Sequence, residues 1–291
     1  MIGAPVCDRP GRGRESGEPV PLATAGRLSV MRPDRAGPIV SVVIPALRDS
    51  AELAALLDDL RADLGDARVE AVVVNGDASD RSMCAVRGRQ TRVRWIDSKA
   101  GRGRQMNAGA EASSGRWLLF LHADARLDAN WVAVIEDADR RSGIVGGAFR
   151  LALASSRRLA RIIERGVAAR TRWLRLPYGD QAFFVRREAF DAVGGYRPLP
   201  LMEDVEFIRR LGRRGQLWFP PVAVRVSARR WERDGWVRRT VSNLVLVALY
   251  FAGVPVQWLA RWYGASGTAG SEAGTDTDTD TDTGADGTAA A

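Results

Sequence analysis

Apolar-rich runs alternate with longer segments of helical periodicity along the first half of the chain. A short run bounded by turn residues predicts a buried strand, and apolar positions three or four apart predict a helix. The predicted strands are residues 39–44, 71–74, 93–96 and 117–121. The predicted helices are residues 51–64, a segment capped by Ser79 that contains Met83 and Val86, and residues 101–112. This alternation predicts parallel pairing with right-handed crossovers, so the carboxyl ends of the strands share one edge.

The second half of the chain departs from this regular alternation. Residues 146–153 and 181–185 predict strands, and residues 157–173 predict a helix between them. A further helix opens at residues 201–204 and runs to about Leu211. The predicted fold class is therefore α/β, with a mostly parallel sheet in a Rossmann-like N-terminal half and a mixed sheet in the C-terminal half.

Polar residues directly after the predicted strands indicate a site at the carboxyl edge of the sheet. Residues 117–121 are apolar throughout, which is typical of a central strand buried on both faces, and Asp124 follows them. Ligands of open α/β sheets bind at this edge because loops and helix N-termini converge there. Asp124 is therefore a candidate site residue, and Pro45 and Asn75 are expected beside it.

Charge and cysteine content exclude some classes of function. The formal net charge of +8 comes almost entirely from arginine, since Lys99 is the only lysine. Clustered cations would favour nucleic acid through counterion release, but these are spread along the chain, so no nucleic-acid partner is expected. Cys7 and Cys84 are too few for a disulfide framework or a metal cluster, and the first residues lack the apolar core of a secretory signal. The cytoplasm is the expected compartment.

Composition divides the chain into three parts. Residues 1–37 are rich in Gly, Pro and Arg, and residues 264–291 carry a Thr-Asp repeat at positions 275–283. Neither segment has enough large apolar residues to pack, so both are expected to be disordered. Residues 38–263 are the expected folded domain.

Four features then occur in an order that carries a resemblance. They are Ser-Val-Val-Ile-Pro-Ala at residues 41–46, the acidic turn after the second strand at 75–77, Leu-His-Ala-Asp at 121–124, and Met-Glu-Asp-Val-Glu at 202–206. The chain resembles the family 2 glycosyltransferases of the GT-A fold over about residues 39–263. This resemblance implies transfer of a sugar from a nucleotide-diphosphate donor.

A bacterial subgroup of that family is the most similar, on four further motifs. They are Gly-Arg-Gly-Arg-Gln-Met-Asn at residues 101–107, His-Ala-Asp at 122–124, Tyr-Gly-Asp-Gln at 178–181, and Ser-Ala-Arg-Arg-Trp at 227–231. Relatives in this subgroup are linked to arsenosugar formation and to carotenoid glycosylation.

The resemblance implies a Mg²⁺ or Mn²⁺ ion held by Asp124 at the leaving diphosphate, whose charge rises as the glycosyl bond breaks. Relatives commonly have a first aspartate where this chain has His122, its only histidine. Mg²⁺ prefers oxygen ligands, so His122 is expected to bind phosphate or to pack, although Mn²⁺ would tolerate an imidazole. A helix cap or loop carboxylate is the structural alternative for Asp124.

Asp204 takes the role of general base by the same resemblance, removing a proton from the acceptor hydroxyl in a reaction that inverts the anomeric carbon. Glu203 beside it is expected to be structural, because adjacent helix positions point about 100° apart. The alternative for this pair is an acidic helix start, which the helix dipole favours without any chemistry.

Arg102 and Arg104 begin a predicted helix, where their charges and the free backbone N–H groups suit a diphosphate, and a solvated basic turn is the structural alternative. The implied donor-binding residues are Pro45, Ala46, Asp49, Asn75 and Arg104, together with Asp124. Two of these positions depart from the family pattern. Relatives commonly have Asn-Glu where this chain has Arg48-Asp49, and Asp-Gly where it has Asn75-Gly76. An amide lacks the negative charge of an aspartate, so the nucleotide base stays open.

Residues 244–256 form an apolar stretch that is too short to cross a bilayer, which needs about 20 residues. Basic and aromatic residues flank it: Trp236, Arg238, Arg239, Trp258, Arg261 and Trp262. One alternative is packing in the core, and the other is peripheral contact with an anionic membrane. The second would place the protein at the inner face of the cell membrane, with a lipid-linked acceptor such as a polyprenoid or a carotenoid acid.

The same residues argue against two other classes of enzyme, a nucleotidyltransferase and a dinucleotide oxidoreductase. No Gly-rich loop follows the first strand to cradle a triphosphate, and residues 101–104 lack the third glycine of a dinucleotide fingerprint. The remaining alternative to an enzyme is a catalytically degenerate nucleotide- or sugar-binding protein of the same fold, because Asn75 and His122 replace the usual acidic residues.

Overall fold

The chain from residue 37 to residue 268 is described by a computed structural model. The strands are β1 Val40–Ala46, β2 Val69–Asn75, β3 Val93–Asp97, β4 Trp117–Phe120, β5 Ala125–Leu127, β6 Ile144–Ala148, β7 Arg150–Ala154, β8 Phe183–Arg186, β9 Gln216–Trp218 and β10 Ala223–Ser227. The helices are α1 Ser50–Asp59, α2 Arg81–Arg87, α3 Arg102–Glu111, α4 Trp131–Arg140, α5 Arg158–Leu174, α6 Arg187–Ala192, α7 Glu203–Leu211, α8 Arg229–Asp234, α9 Trp236–Phe251 and α10 Val256–Thr268. Apart from their inner ends, the predicted disordered segments 1–37 and 264–291 lie outside the described residues.

The central sheet has seven strands in the order β3-β2-β1-β4-β8-β6-β9. The four N-terminal strands pair in parallel, whereas β8 is antiparallel to both of its neighbours. A second sheet, β5-β10-β7, combines one antiparallel and one parallel pair. The predicted α/β class, parallel first half and mixed second half are confirmed.

Helices cover both faces of the central sheet, which explains why its inner strands are apolar throughout. Every residue of β1 and of β4 is buried. Side chains of α1, α2 and α4 pack on one face, and side chains of α3, α6 and α7 pack on the other. The hydrophobic effect therefore fixes these strands in the sheet, and it leaves their polar carboxyl ends for the site.

One predicted strand is wrong in its extent. Residues 146–153 divide at Phe149 into β6 and β7, which belong to different sheets. The backbone N–H of Phe149 donates to the Gln181 carbonyl at 2.9 Å instead of continuing the β6 ladder. Its buried side chain joins the core. The chain thereby changes sheets beside the turn that precedes β8.

Candidate active site

The carboxyl ends of β1 and β2 lie side by side, as the alternation predicts. Ala46 is in register with Asn75, and the side chain of Gln105 from α3 joins the two strand ends. Its Nε2 atom donates to the carbonyls of Ala46 at 3.0 Å and Val74 at 2.9 Å. Gln105 is buried and was not predicted as a functional residue, although it lies within the singled-out motif at residues 101–107. Its two hydrogen bonds hold the ends of β1 and β2 at a fixed distance from each other.

The predicted donor residue Asn75 is engaged within the fold. Its amide nitrogen donates to the Asp77 carbonyl at 3.0 Å and to Asp97 Oδ1 at 3.1 Å. Its amide oxygen accepts from the Asp77 N–H at 3.1 Å. An aspartate could not donate the first two bonds, so the amide at this position suits the turn as it is built.

A pocket opens at this edge beyond β4, with about 1190 Å³ of empty space including the part open to solvent. Its wall combines the ends of β1, β4 and β10, the start of α7, and residues from α8, α9 and α10. Seven charged groups line it: Arg102, Asp124, Asp180, Glu203, Asp204, Arg230 and Arg239. Predicted residues Pro45, Asp124 and Asp204 are therefore brought together in one pocket.

Four other predicted residues do not line this pocket: Ala46, Asp49, Asn75 and Arg104. Ala46 and Asn75 end β1 and β2 on the same edge, and Asp49 directly precedes α1. Arg104 is exposed on α3, whereas Arg102 from the same helix lines the pocket. Of the two arginines expected to suit a diphosphate, the structure thus places Arg102 in the pocket beside Glu203 and Arg104 outside it.

Asp124 lies in the turn that joins β4 to β5, and 15% of its side chain is exposed. The nearest cation is Arg230 of α8, whose Nη2 atom is 3.9 Å from Asp124 Oδ2. At that separation the two groups attract each other without a close hydrogen bond. Arg230 was not predicted as a site residue, although its motif at residues 227–231 was noted.

Asp204 occupies the first turn of α7, where its carboxylate accepts two backbone N–H groups. Gly179 donates to Oδ2 at 2.6 Å, and Val205 donates to Oδ1 at 2.7 Å. Met202, just before the helix, has a left-handed φ of 61°, so the chain enters α7 by a sharp turn. The two N–H groups fix the orientation of the Asp204 side chain in the pocket wall.

Glu203 is buried and also lines the pocket, with Arg102 Nη1 at 3.7 Å from its Oε1. Burial raises the pKa of Glu203, the neighbouring Asp204 charge raises it further, and Arg102 opposes both. Like charges on adjacent carboxylates cost free energy in a poorly solvated site. The ion pair with Arg102 fits the structural role predicted for Glu203.

His122 faces the same turn as Asp204. A methyl group added at Gly179 would meet His122 Nε2 at 3.4 Å and Asp204 Oδ2 at 3.3 Å. Burial, together with the positive charges of Arg102 and Arg230, lowers the pKa of His122 to about 3. His122 is therefore neutral near pH 7.

The described residues 37–268 contain no group of three or more His, Cys, Asp or Glu side chains arranged to hold a metal ion. Asp124 offers one carboxylate with no close hydrogen-bonded cation. Mg²⁺ in phosphate-transfer and related sites is bound by one or two carboxylates together with substrate phosphates and water. The donor set therefore fits a cation that a diphosphate helps to hold, and it does not fit a cage built from protein alone.

The apolar stretch at residues 244–256 forms part of α9 and the start of α10. Within it only Leu246 is buried, whereas Leu244 and Phe251 are 56% and 48% exposed. Asn243, Leu246 and Val247 line the pocket. One face of the segment thus forms the pocket wall and the other is open, which contradicts packing of the whole stretch in the core. None of the described helices combines the length and apolarity that a membrane span requires.

The mostly parallel seven-stranded sheet with helices on both faces is the arrangement of the GT-A fold. Residues 41–200 match the sequence model of glycosyl transferase family 2, and the chain belongs to that family. No curated protein matches the chain. Its assignment therefore rests on the family match and on the fold.

Solved structures of similar fold include the 1–349 fragment of S. aureus TarS in complex with UDP-GlcNAc. That match has a TM-score of 0.50 and 14% identity, and it covers 65% of this chain and 58% of TarS 1–349. The same fragment in complex with UDP has a TM-score of 0.50 and 14% identity, with 65% and 60% covered. Glucosyl-3-phosphoglycerate synthase from Mycobacterium tuberculosis has a TM-score of 0.46 and 18% identity, with 68% and 76% covered. The chain thus spans less than two thirds of the TarS fragment.

Proposed function

We propose that the protein transfers a sugar from a nucleotide-diphosphate donor to an acceptor hydroxyl or carboxylate, with inversion at the anomeric carbon. The observation that carries this proposal is the meeting of Asp124 and Asp204 in one pocket of a family 2 glycosyltransferase fold. The TarS neighbours were solved with UDP-GlcNAc and with UDP, which makes uridine nucleotides the first donors to test.

The proposed reaction is a direct displacement. An acceptor oxygen forms a bond to the anomeric carbon while the bond from that carbon to the diphosphate oxygen breaks. Asp204 takes the proton of a hydroxyl acceptor, whereas a carboxylate acceptor attacks without losing one. The nucleoside diphosphate leaves with the electron pair of the broken bond. Displacement from the opposite face inverts the carbon, and a positioned base of this kind contributes about 10²- to 10⁴-fold in rate.

On the donor side, Arg102 and Arg230 place positive charge in the pocket to attract the departing diphosphate. Asp124 would hold Mg²⁺ or Mn²⁺, which supplies further charge stabilisation to the leaving group. We propose that the base and ribose extend over the neighbouring strand ends. The residues proposed to contact the donor are Pro45, Ala46, Asp49, Asn75 and Arg104.

A calorimetric titration of UDP and GDP, with and without Mn²⁺, tests the donor site. We expect the cation to tighten binding of one nucleotide, and we expect Asp124→Ala to weaken that binding roughly ten- to hundred-fold, because a charged ligand group is lost. Asp191→Ala removes an exposed carboxylate from α6 and is the matched control, with unchanged affinity expected.

Either of two results would contradict this assignment. Equal binding by the wild-type chain and Asp124→Ala would remove Asp124 from the donor site. Tight nucleotide binding without any turnover of UDP-sugars or GDP-sugars, across a panel of acceptors, would favour the catalytically degenerate binding protein.

We also propose that the acceptor is lipid-linked and that the protein meets it at an anionic membrane surface. Exposed apolar residues of α9 and α10 support this, with Val237 67%, Val241 51%, Leu244 56% and Trp258 68% exposed. Because the same helices line the pocket, an acceptor held in the lipid would have a short path to Asp204. As part of the same proposal, the protein is related to the bacterial subgroup whose members are linked to arsenosugar formation and to carotenoid glycosylation.

Co-sedimentation with anionic vesicles tests the surface. We expect Val241→Asp combined with Leu244→Asp to lower the bound fraction at least about ten-fold. Each change removes apolar area and adds a negative charge that the anionic vesicle repels. Leu159→Asp on α5 is the control, since Leu159 is also an exposed apolar residue at 41%. Equal binding by the double variant and the wild-type chain would refute membrane contact through α9.

A further inference from the structure

Hydrogen bonds at Gly179 and at Gln181 fix the turn at residues 178–181, which precedes β8. Gln181 is buried, and its Oε1 atom accepts from Thr171 Oγ1 and from Arg170 Nη2, each at 3.1 Å. Its Nε2 atom donates to the Phe149 carbonyl at 3.1 Å. On the other side, the Gly179 N–H donates to Asp204 at 2.6 Å. The residue between Gly179 and Gln181 is therefore held in a defined position against the pocket.

That residue is Asp180, and one oxygen of its carboxyl group makes no hydrogen bond with the described residues. Its Oδ1 atom is shielded from solvent and has no hydrogen-bond partner among the described residues. Burial and the negative charges of Asp204 and Asp124 outweigh the positive charges of Arg170 and Arg102, and together they raise the pKa of Asp180 to about 6. A buried acceptor without a donor costs free energy, so its presence calls for an explanation.

The surroundings of Asp180 indicate which kind of group would donate a hydrogen bond to its Oδ1 atom. Asp180 lines the pocket, and Gly179 beside it binds the proposed general base directly. The reacting hydroxyl of an acceptor and the ring hydroxyls of a donor sugar must both come close to that base. A carboxylate oxygen accepts hydrogen bonds from hydroxyl groups, and such bonds are stronger than those to neutral acceptors.

We infer that Asp180 Oδ1 accepts a hydrogen bond from a hydroxyl group of the bound substrate, and that Asp180 is a specificity-determining residue of the pocket. The inference rests on the proposed sugar transfer. The hydroxyl belongs either to the donor sugar ring or to the acceptor. A site built around such a bond rejects analogues that lack the hydroxyl, because its buried oxygen is then left unpaired.

The test compares the wild-type chain with Asp180→Ala and Asp180→Asn, and uses Asp191→Ala as the control. Calorimetry measures the affinity for UDP and for UDP-glucose with Mn²⁺, and steady-state kinetics measure the acceptor kcat/KM. If the donor sugar supplies the hydroxyl, Asp180→Ala loses roughly ten- to hundred-fold in affinity for UDP-glucose and keeps its affinity for UDP. If the acceptor supplies it, both affinities stay and the acceptor kcat/KM falls by a similar factor.

Thermal unfolding separates this role from a structural one. Since Oδ1 makes no hydrogen bond with the described residues and burial outweighs the attraction of Arg170, Tm of either variant is expected to equal or exceed that of the wild-type chain. A lower Tm with an unchanged substrate profile would overturn the inference, and so would a loss of Mn²⁺ affinity, which would make Asp180 a metal ligand. Binding of no nucleotide by the wild-type chain would refute the proposed function, and the inference would fall with it.

Discussion

Asp204→Asn is expected to lower kcat by about 10²- to 10⁴-fold while nucleotide affinity changes by less than about two-fold. The amide keeps the shape of the carboxylate and can still accept the Val205 N–H, but it cannot take a proton from the acceptor. Single-turnover kinetics with a saturating donor, together with calorimetry of the bare nucleotide, separate the chemical step from binding.

Glu203→Gln provides the comparison for Asp204, because both acids line the pocket on adjacent positions of α7. Glu203 is paired with Arg102, so its amide variant is expected to change nucleotide binding more than the chemical step. A loss of kcat that is larger in Glu203→Gln than in Asp204→Asn would contradict the assignment of the base.

The parallel half of the sheet could be predicted from sequence because its signal is local. Each strand there is a short apolar-rich run closed by a turn residue. The continuous apolar sequence of β1 and β4 already indicates strands that are buried on both faces. The division at Phe149 could not be predicted, since the apolar pattern continues through it. That break depends on a hydrogen bond to Gln181, which is 32 residues away.

In the site, too, residues marked by their own motif could be predicted, and residues whose role depends on contacts with distant segments could not. Asp124 and Asp204 follow recognisable motifs at a strand end and a helix start, and the structure brings them into one pocket. Gln105 and Arg230 act through contacts with other segments, namely the ends of β1 and β2 for the first and Asp124 for the second. Their motifs were visible in the sequence, but the partners that give them a role were not.

The strand that leads to Asp124 is anchored at its other end by Asp139 of α4. The Trp117 indole donates to Asp139 Oδ1 at 2.9 Å, and Arg186 Nη1 lies 3.1 Å from the same oxygen. Arg116 Nη2 donates to Oδ2 at 2.9 Å. Asp139→Ala leaves the fully buried Trp117 without its acceptor and two arginines without their shared carboxylate. We expect a loss of about 3 kcal/mol in the free energy of unfolding, measured by urea denaturation at pH 7.

The pH dependence of this loss follows from the Asp139 titration. Burial alone would raise the pKa of Asp139, but hydrogen bonds from Trp117 and Arg116 and the charges of Arg116 and Arg186 lower it below 3.8. The lowered pKa gives stability that is present above the unfolded value and lost as pH falls through the folded value. The difference between variant and wild type should therefore stay constant from about pH 8 to 5 and shrink below about pH 4.

Asp137→Ala on the same helix is the control for Asp139, because among the described residues Asp137 pairs with Arg140 and Arg141 alone, at the surface. Exposed pairs of this kind contribute about 0.2–1 kcal/mol, so its unfolding free energy should change little. Equal losses in the two variants would mean that the Trp117 and Arg186 contacts add nothing beyond a surface ion pair. A larger loss at Asp139 would instead tie the stability of the fold to the strand that carries the proposed cation ligand into the pocket.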